Sequence, residues 1–286
     1  MSYLEAFHGD EPPLYQQITY PLFQIINEYV FETLCKIIKN GIQTRLMESE
    51  NRQYDLIWPK LFPGILIRRY KRFLADVLLE DGSTVTAHCT NTGRMTSCSD
   101  PGRKVYLSFN DKPSRKHKYG WELIHMPESL VGVNTLVPNR LVRQAVLKGK
   151  IKEFLSYDRV QMEVRSGKNT RLDLQLDGKG GHPCLIEVKN CTLVRDKIAF
   201  FPDAVTIRGQ KHLEELRRRV QNGTRCCMFF VIQRMDAEIF RPADDIDPDY
   251  ALQLRLAAEA GVKLIAFDVH IDLKGIRLRN RLPVIL

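Results

Sequence analysis

The chain has 286 residues, 44% of them apolar and 27% charged, with a net charge of +9. That length suits about two domains, and the apolar fraction is that of an ordinary globular protein. No run approaches the roughly 18 apolar residues that would cross a membrane, so a membrane partner is excluded, while the positive charge favours polyanions.

The N-terminus carries Glu5, Asp10 and Glu11 and no basic leader, so no signal peptide is expected. The seven cysteines are odd in number and form no Cys-x-x-Cys pair. Cys226 and Cys227 sit together in an apolar run, as reduced core thiols would. The expected compartment is a reducing cytoplasm.

From Pro21 to Leu46, apolar residues recur mostly at three and four, which predicts amphipathic helix. Residues 1–58 are read as a helical N-terminal extension of unassigned role. Residues 59–138 then read as all-β. Strands are expected at Phe62 to Ile67, Leu74 to Leu79, Thr84 to Cys89, Lys104 to Phe109 and Tyr119 to His125. Turns such as Glu80-Asp81-Gly82-Ser83 and Asn91-Thr92-Gly93 separate them. Five short strands suit a small OB-like β-barrel. Between Lys60 and Tyr119 there are twelve Lys or Arg against five Asp or Glu. Arg68, Arg69, Lys71, Arg72, Arg94 and Lys116 are the candidate DNA-binding residues. Tyr70, Phe73 and Tyr119 interleave with the charges, as single-stranded nucleic acid binding requires.

Residues 139–286 read as α/β. Asn139 is expected to cap a helix from Arg140 to Lys148, which Gly149 stops. Strands follow around Val160 to Val164, Leu172 to Leu176 and Leu185 to Val188. A helix runs from about Arg208 to Gln221, then the buried strand Cys226 to Ile232. A helix over Pro248 to Ala260 and a strand over Val262 to Phe267 complete a mixed sheet.

The chemistry concentrates between Arg171 and Lys189. Asp173 alternates with Leu172, Leu174 and Leu176 on one strand. Glu187 and Lys189 lie two apart on the next, so both point to one face. A hairpin would bring Asp173 beside Glu187. Two carboxylates and an ammonium at one spot can hold a divalent metal, orient a water and stabilise charge on a phosphate.

Asp, then Glu-x-Lys on the following strand, resembles the PD-(D/E)XK nuclease superfamily, although Leu172 stands where that signature has proline. The superfamily's order of helix, three strands, helix, strand, helix, strand is also matched. Longer motifs resemble the sugar fermentation stimulation protein (SfsA) family: Arg69-Tyr70-Lys71-Arg72-Phe73-Leu74-Ala75-Asp76, Asn91-Thr92-Gly93-Arg94-Met95, Glu187-Val188-Lys189-Asn190, Phe201-Pro202-Asp203-Ala204-Val205 and Arg208-Gly209-Gln210-Lys211-His212-Leu213. The resemblance covers about residue 62 to the C-terminus. It implies an OB-like barrel followed by a nuclease-like mixed α/β domain, DNA binding, and a role in regulating sugar catabolism, notably of maltose.

Carried over residue by residue, the superfamily pattern makes Asp173 and Glu187 metal ligands, with the Val188 carbonyl as a third and Mg²⁺ as the ion. Lys189 would position the attacking water and stabilise phosphate charge. Glu163 is a further acidic candidate, and Gln210 matches a helical glutamine of some members. The helix after Asn139 carries no acid where the superfamily has one. Asp203 follows the Glu-x-Lys strand and so falls in the wrong place for the motif acid. His88 and His212 read as satisfied or exposed imidazoles. No phosphate-binding P-loop is present.

Two functions follow. One is a Mg²⁺-dependent nuclease on DNA, with single-stranded DNA and RNA left open as substrates. The other is a DNA-binding regulator that keeps the fold without turnover. Oligomeric state is left open, a homodimer included.

Overall fold

The computed structural model describes residues 53–166, 170–178 and 181–286. The helix expected over Pro21 to Leu46 and most of the turn at Ser166 to Asn169 lie outside them.

The first described strand is β1 (Leu56–Ile57), and it pairs antiparallel with the last, β16 (Gly275–Leu282). Residues 54–58, grouped by sequence with the N-terminal extension, therefore add an edge to the C-terminal sheet. Asp55 is buried there and accepts Lys148 Nζ at 3.0 Å and Lys150 Nζ at 2.6 Å. Trp58 Nε1 donates to the Asp272 carbonyl at 2.8 Å.

The barrel comprises β2 (Leu61–Tyr70), β3 (Leu74–Leu79), β4 (Thr84–His88), β5 (Lys104–Phe109) and β6 (Tyr119–His125). Their order is β4-β3-β2-β5-β6, and β4 pairs parallel with β6 to close the ring. This five-stranded closure is the OB topology. Strand β2 runs three residues beyond its sequence-based end, because it must serve two neighbours: Leu61 to Ile65 pair with β5, and Gly64 to Tyr70 with β3. Gly64 sits where the two pairings overlap, and a Cβ there would lie 2.5 Å from Val77 Cγ1 and 2.8 Å from the Leu78 carbonyl oxygen. Leu66, Val77, Ala87, Leu107 and Trp121 fill the interior. A short β7 (Leu130–Gly132) extends β6.

The second domain starts with α1 (Val137–Leu147), earlier than its expected start. Pro138 occupies the first turn, where a missing N–H removes no helix bond. Asn139 thus lies inside the helix and does not cap it. The main sheet runs β1-β16-β15-β13-β10-β9-β8. Its members are β8 (Tyr157–Ser166), β9 (Thr170–Gly178), β10 (Cys184–Cys191), β13 (Arg225–Ile232) and β15 (Lys263–Ile271). Strands β10, β13 and β15 are parallel, and β9 and β8 return antiparallel at one edge. A small second sheet holds β11 (Leu193–Arg195), β12 (Ile198–Phe201) and β14 (Ile239–Pro242).

The central strands are apolar on both faces because both faces are covered. Cys184, Ile186, Val188, Cys227 and Phe229 pack toward α1. Leu185, Cys191, Cys226, Met228 and Phe230 pack toward α2 (Ile207–Gln221) and α3 (Pro248–Glu259). The six cysteines among the described residues are all buried and unbridged, as expected of core thiols.

Candidate active site

Strand β10 presents its chemistry toward α2. The alternation that buries Ile186 and Val188 beneath α1 turns Glu187 and Lys189 to the other face. Lys189 Nζ donates to Glu187 Oε1 at 2.6 Å. Strand β9 pairs Leu174 with Ile186, which brings Asp173 level with the next step of β10. Asp173 Oδ2 accepts the Val188 N–H at 2.8 Å, and its Oδ1 accepts Asn139 Nδ2 at 2.8 Å. The three residues that define the motif in sequence are therefore together in space.

Their charges are coupled. Burial, then the neighbouring Glu187 charge, push the Asp173 carboxyl up to about 6, against the pull of the Val188 N–H, Lys189 and Asn139. Glu187 is 2% exposed. Burial opposes its charge, but Lys189 and His212 together outweigh that and hold it below the usual carboxylate range. His212, from α2, is buried and contacts Glu187 Oε1 through Nδ1. The same nitrogen lies 3.4 Å from Lys189 Nζ, and Arg208 Nε lies 3.5 Å from His212 Nε2. His212 is thus a satisfied imidazole, one of the two states expected from sequence, and its partner Glu187 makes it part of the candidate site, which the sequence reading did not foresee. The signal was there: Gly209, His212, Leu213 and Leu216 are the buried stripe of α2.

A divalent cation fits these residues. Glu187 Oε2 is buried and has no hydrogen-bond partner. A buried carboxylate oxygen left in that state is costly unless something positive meets it. The donors at hand are hard oxygens, which suit Mg²⁺, Ca²⁺ or Mn²⁺. Among the described residues no third acid or imidazole completes a protein-only cage. Two carboxylates with water and phosphate oxygens making up the rest is the usual Mg²⁺ arrangement.

A cavity of about 420 Å³ opens over Asp173, Glu187 and Lys189. Its far wall belongs to the barrel: Arg72 from the β2–β3 turn, and Thr90 to Gly93 from the loop after β4. The segment from Phe201 to Thr206, with Arg208, forms the side. Arg69 shapes the barrel wall. Its guanidinium donates to the carbonyls of Arg72, Asn91, Gly93 and Arg94 at 2.6, 2.9, 2.8 and 3.2 Å. Asn91 Oδ1 accepts the Gly93 N–H at 2.9 Å and tightens the turn. Asp203 Oδ2 then accepts the Met95 N–H at 3.0 Å across the domain junction. Asp203 lies outside the motif order but inside the cavity.

The other sequence-based candidates fall elsewhere. Glu163 lies between the pairs Met162–Leu174 and Val164–Leu172, level with Asp173. Its φ of 56° turns it aside, and its exposed carboxylate meets Arg171 at 3.0 Å. Gln210 Nε2 donates to Asp247 Oδ1 at 3.0 Å, and so joins the cap of α3. Arg69 is committed to the loop carbonyls. Arg68 stacks 4.9 Å over Tyr70 and pairs with Asp76 at 2.8 Å while staying exposed. Lys71, Arg72, Arg94 and Lys116 are exposed, and of these only Arg72 lines the cavity.

The Gly93 contact is a test of this wall. A Cβ on Gly93 would run into the Asp203 carboxylate, which the Met95 N–H holds in place. Gly93→Ala is expected to cost about 1–3 kcal/mol of stability, the usual range for overpacking. Thermal melts check this. An unchanged melting temperature would show that the loop is not clamped.

Comparison with known proteins agrees with this two-part design. Residues 67–133 match the family described as "SfsA N-terminal OB domain", and residues 136–275 match "Sugar fermentation stimulation protein RE domain". A sugar fermentation stimulation protein homolog of Pelobacter propionicus is 51% identical over 228 residues, spanning 80% of this chain and 99% of that protein. The homolog of Geobacter sulfurreducens is also 51% identical, over 231 residues, with 80% and 99% covered. Among solved structures, that of Pyrococcus furiosus SfsA in complex with Ca²⁺ aligns with a TM-score of 0.76 at 28% identity, covering 82% of this chain and 99% of that one. With both domain matches in register with the observed barrel and sheet, the chain belongs to the sugar fermentation stimulation protein family.

Proposed function

We propose that this protein is a DNA-binding, divalent-metal-dependent phosphodiesterase whose site is Asp173, Glu187 and Lys189. The observation that carries the reading is the buried, unpartnered Glu187 Oε2 beside Asp173 and Lys189, in a cavity walled by a basic turn of the barrel. Asp173 and Glu187, with the Val188 carbonyl, would hold the ion, and Mg²⁺ is the physiological choice. The similar P. furiosus protein was crystallised with Ca²⁺, which supports a divalent site. When bound, such an ion supplies Lewis acidity toward a phosphoryl oxygen and lowers the pKa of a coordinated water.

The protein's own groups do the rest. Lys189 Nζ can hold a water for attack and offset negative charge on the phosphate. His212 and Glu187 fix that ammonium from beneath. Asn139 and the Val188 N–H fix the Asp173 carboxylate. Arg72 and Arg208 bring positive charge to the cavity rim. DNA is the proposed partner, and the buried free thiols suit a cytoplasmic setting.

One observation favours a second reading. In α1 the residue facing Asp173 is the amide Asn139, where a further acid would complete a two-metal site. A non-catalytic regulator of sugar-metabolism genes would keep such a site for binding alone. Labelled single- and double-stranded DNA and RNA, incubated with Mg²⁺, Mn²⁺ or EDTA, separate the two. Metal-dependent cutting of DNA is expected. Binding without cutting on every substrate would sink the phosphodiesterase and leave the regulator.

A further inference from the structure

The cavity's construction says which form of DNA it takes, given that the phosphodiesterase reading holds. The barrel loop at residues 90–95 is pinned at both ends. Thr90 is tied to the interdomain segment, its Oγ1 accepting the Thr135 N–H at 2.9 Å and its carbonyl accepting Thr135 Oγ1 at 3.1 Å. The other end is tied to Asp203 through Met95. Arg69 holds the middle through its carbonyls. This is a fixed arch facing the carboxylates, not a lid.

The surface leading to the site mixes positive charge with exposed apolar side chains. Val205, in the cavity wall, is 63% exposed, and Ile207 beside it is 65% exposed. Past Thr90, which lines both, a second cavity of about 230 Å³ opens on the barrel. It carries Arg115, Leu136 at 62% exposure and Phe109 at 43%. A duplex keeps its bases stacked inside and offers phosphates to a protein, for which Val, Ile, Leu and Phe are poor partners. An unpaired strand offers phosphates and bare base faces together.

Arg72 adds an independent sign. It stands in the β2–β3 turn with φ of 64°, after Lys71 at 49°. Left-handed φ at two successive residues is what a tight hairpin turn needs, so the turn fixes how the Arg72 side chain leaves the sheet. Arg72 has no ion pair among the described residues and lines the cavity.

The geometry points to a single-stranded substrate. An unpaired strand enters between the arch and α2, with a phosphate near Lys189, Arg72 and Arg208 and bases against Val205 and Ile207. It continues past Thr90 to Phe109.

The test is binding in EDTA, where no cutting confuses the reading. A fluorescein-labelled 12-nucleotide strand and its blunt duplex are titrated by fluorescence anisotropy with the full chain. The strand is expected to bind about tenfold tighter or more, as two or more base contacts would give. Arg72→Gly removes the guanidinium and relieves the turn, so the fold should hold. It should lower affinity for the strand several-fold, on the order of one lost phosphate contact. The double variant Val205→Ser/Ile207→Ser should lower strand affinity by about fivefold or more, from lost apolar burial, and leave the duplex unchanged. Equal or tighter binding of the duplex overturns the proposal, and so do apolar variants without effect on the strand. Cutting within a blunt duplex by the wild type in Mg²⁺ would also overturn it, while upholding the phosphodiesterase. Strand preference with no cutting would do the reverse.

Discussion

Asp173→Asn should make the metal-free protein more stable while greatly weakening its cleavage. The Asp173 carboxyl is pushed up to about 6 by burial and by Glu187. Its folded-state value therefore lies above the unfolded one, and the native state holds the proton more tightly. Stability from this group falls as pH rises from about 4 to about 6, and stays reduced above that. An amide carries no such penalty. At pH 7.5 in EDTA the variant should gain about 1–2 kcal/mol, with allowance for the partial exposure of the carboxylate. The shape is kept: the new carbonyl can accept the Val188 N–H, and Asn139 can turn its own oxygen to the new amide. Urea melts across the pH range should show the two proteins converge near pH 4 and separate toward pH 6. Added Mg²⁺ should stabilise the wild type, because it binds only the folded form, and leave the variant unmoved. Cleavage should fall by about 10²- to 10³-fold or more, as for loss of a charge-stabilising group. A variant less stable than the wild type in EDTA at pH 7.5 would mean that Asp173 is a structural carboxylate.

Lys189→Ala carries the second large effect. The ammonium is 13% exposed and sits 2.6 Å from Glu187 Oε1. Its loss removes an ammonium held at the carboxylate pair, and a fall of about 10²- to 10³-fold in cleavage is expected. DNA affinity should fall by no more than the several-fold of one lost phosphate contact, because Arg72 and Arg208 remain at the rim. Lys189→Arg should not restore activity, since a planar fork cannot replace a compact ammonium in so small a space. Single-turnover cleavage set beside anisotropy titrations measures both. Equal losses in binding and cutting would make Lys189 an anchor for DNA, with no part in turnover.

Both predictions rest on residues that the sequence alone brought forward, and the reason is local. Asp173 and Glu187 stand in period-2 patterns on neighbouring strands of one hairpin, so backbone geometry alone puts them together. The barrel strands were legible for the same reason, with turn residues between them. What escaped was set by tertiary partners. Asn139 has the composition of a helix cap, but the helix starts at Val137 and Asn139 spends its amide on Asp173. Arg69 counted as one more positive charge, yet four carbonyls absorb its guanidinium. Glu163 was at the right height and turned away by one backbone angle. Asp203 is far from the motif in order and beside it in space. The strand β1 has two residues, too few for any pattern to declare it.

That two-residue strand changes how the molecule can be divided. It precedes the barrel in the chain, yet it completes the sheet that follows the barrel. The barrel is thus a guest, inserted into a host that begins before it and resumes after it. No single cut yields both modules whole. A fragment starting after the barrel would leave the outer edge of β16 bare and would strand Lys148 and Lys150 without Asp55. The guest's loop also forms one wall of the host's cavity. Acquisition or loss of the barrel would therefore remake the site itself, so binding and chemistry in this chain are bound to change together.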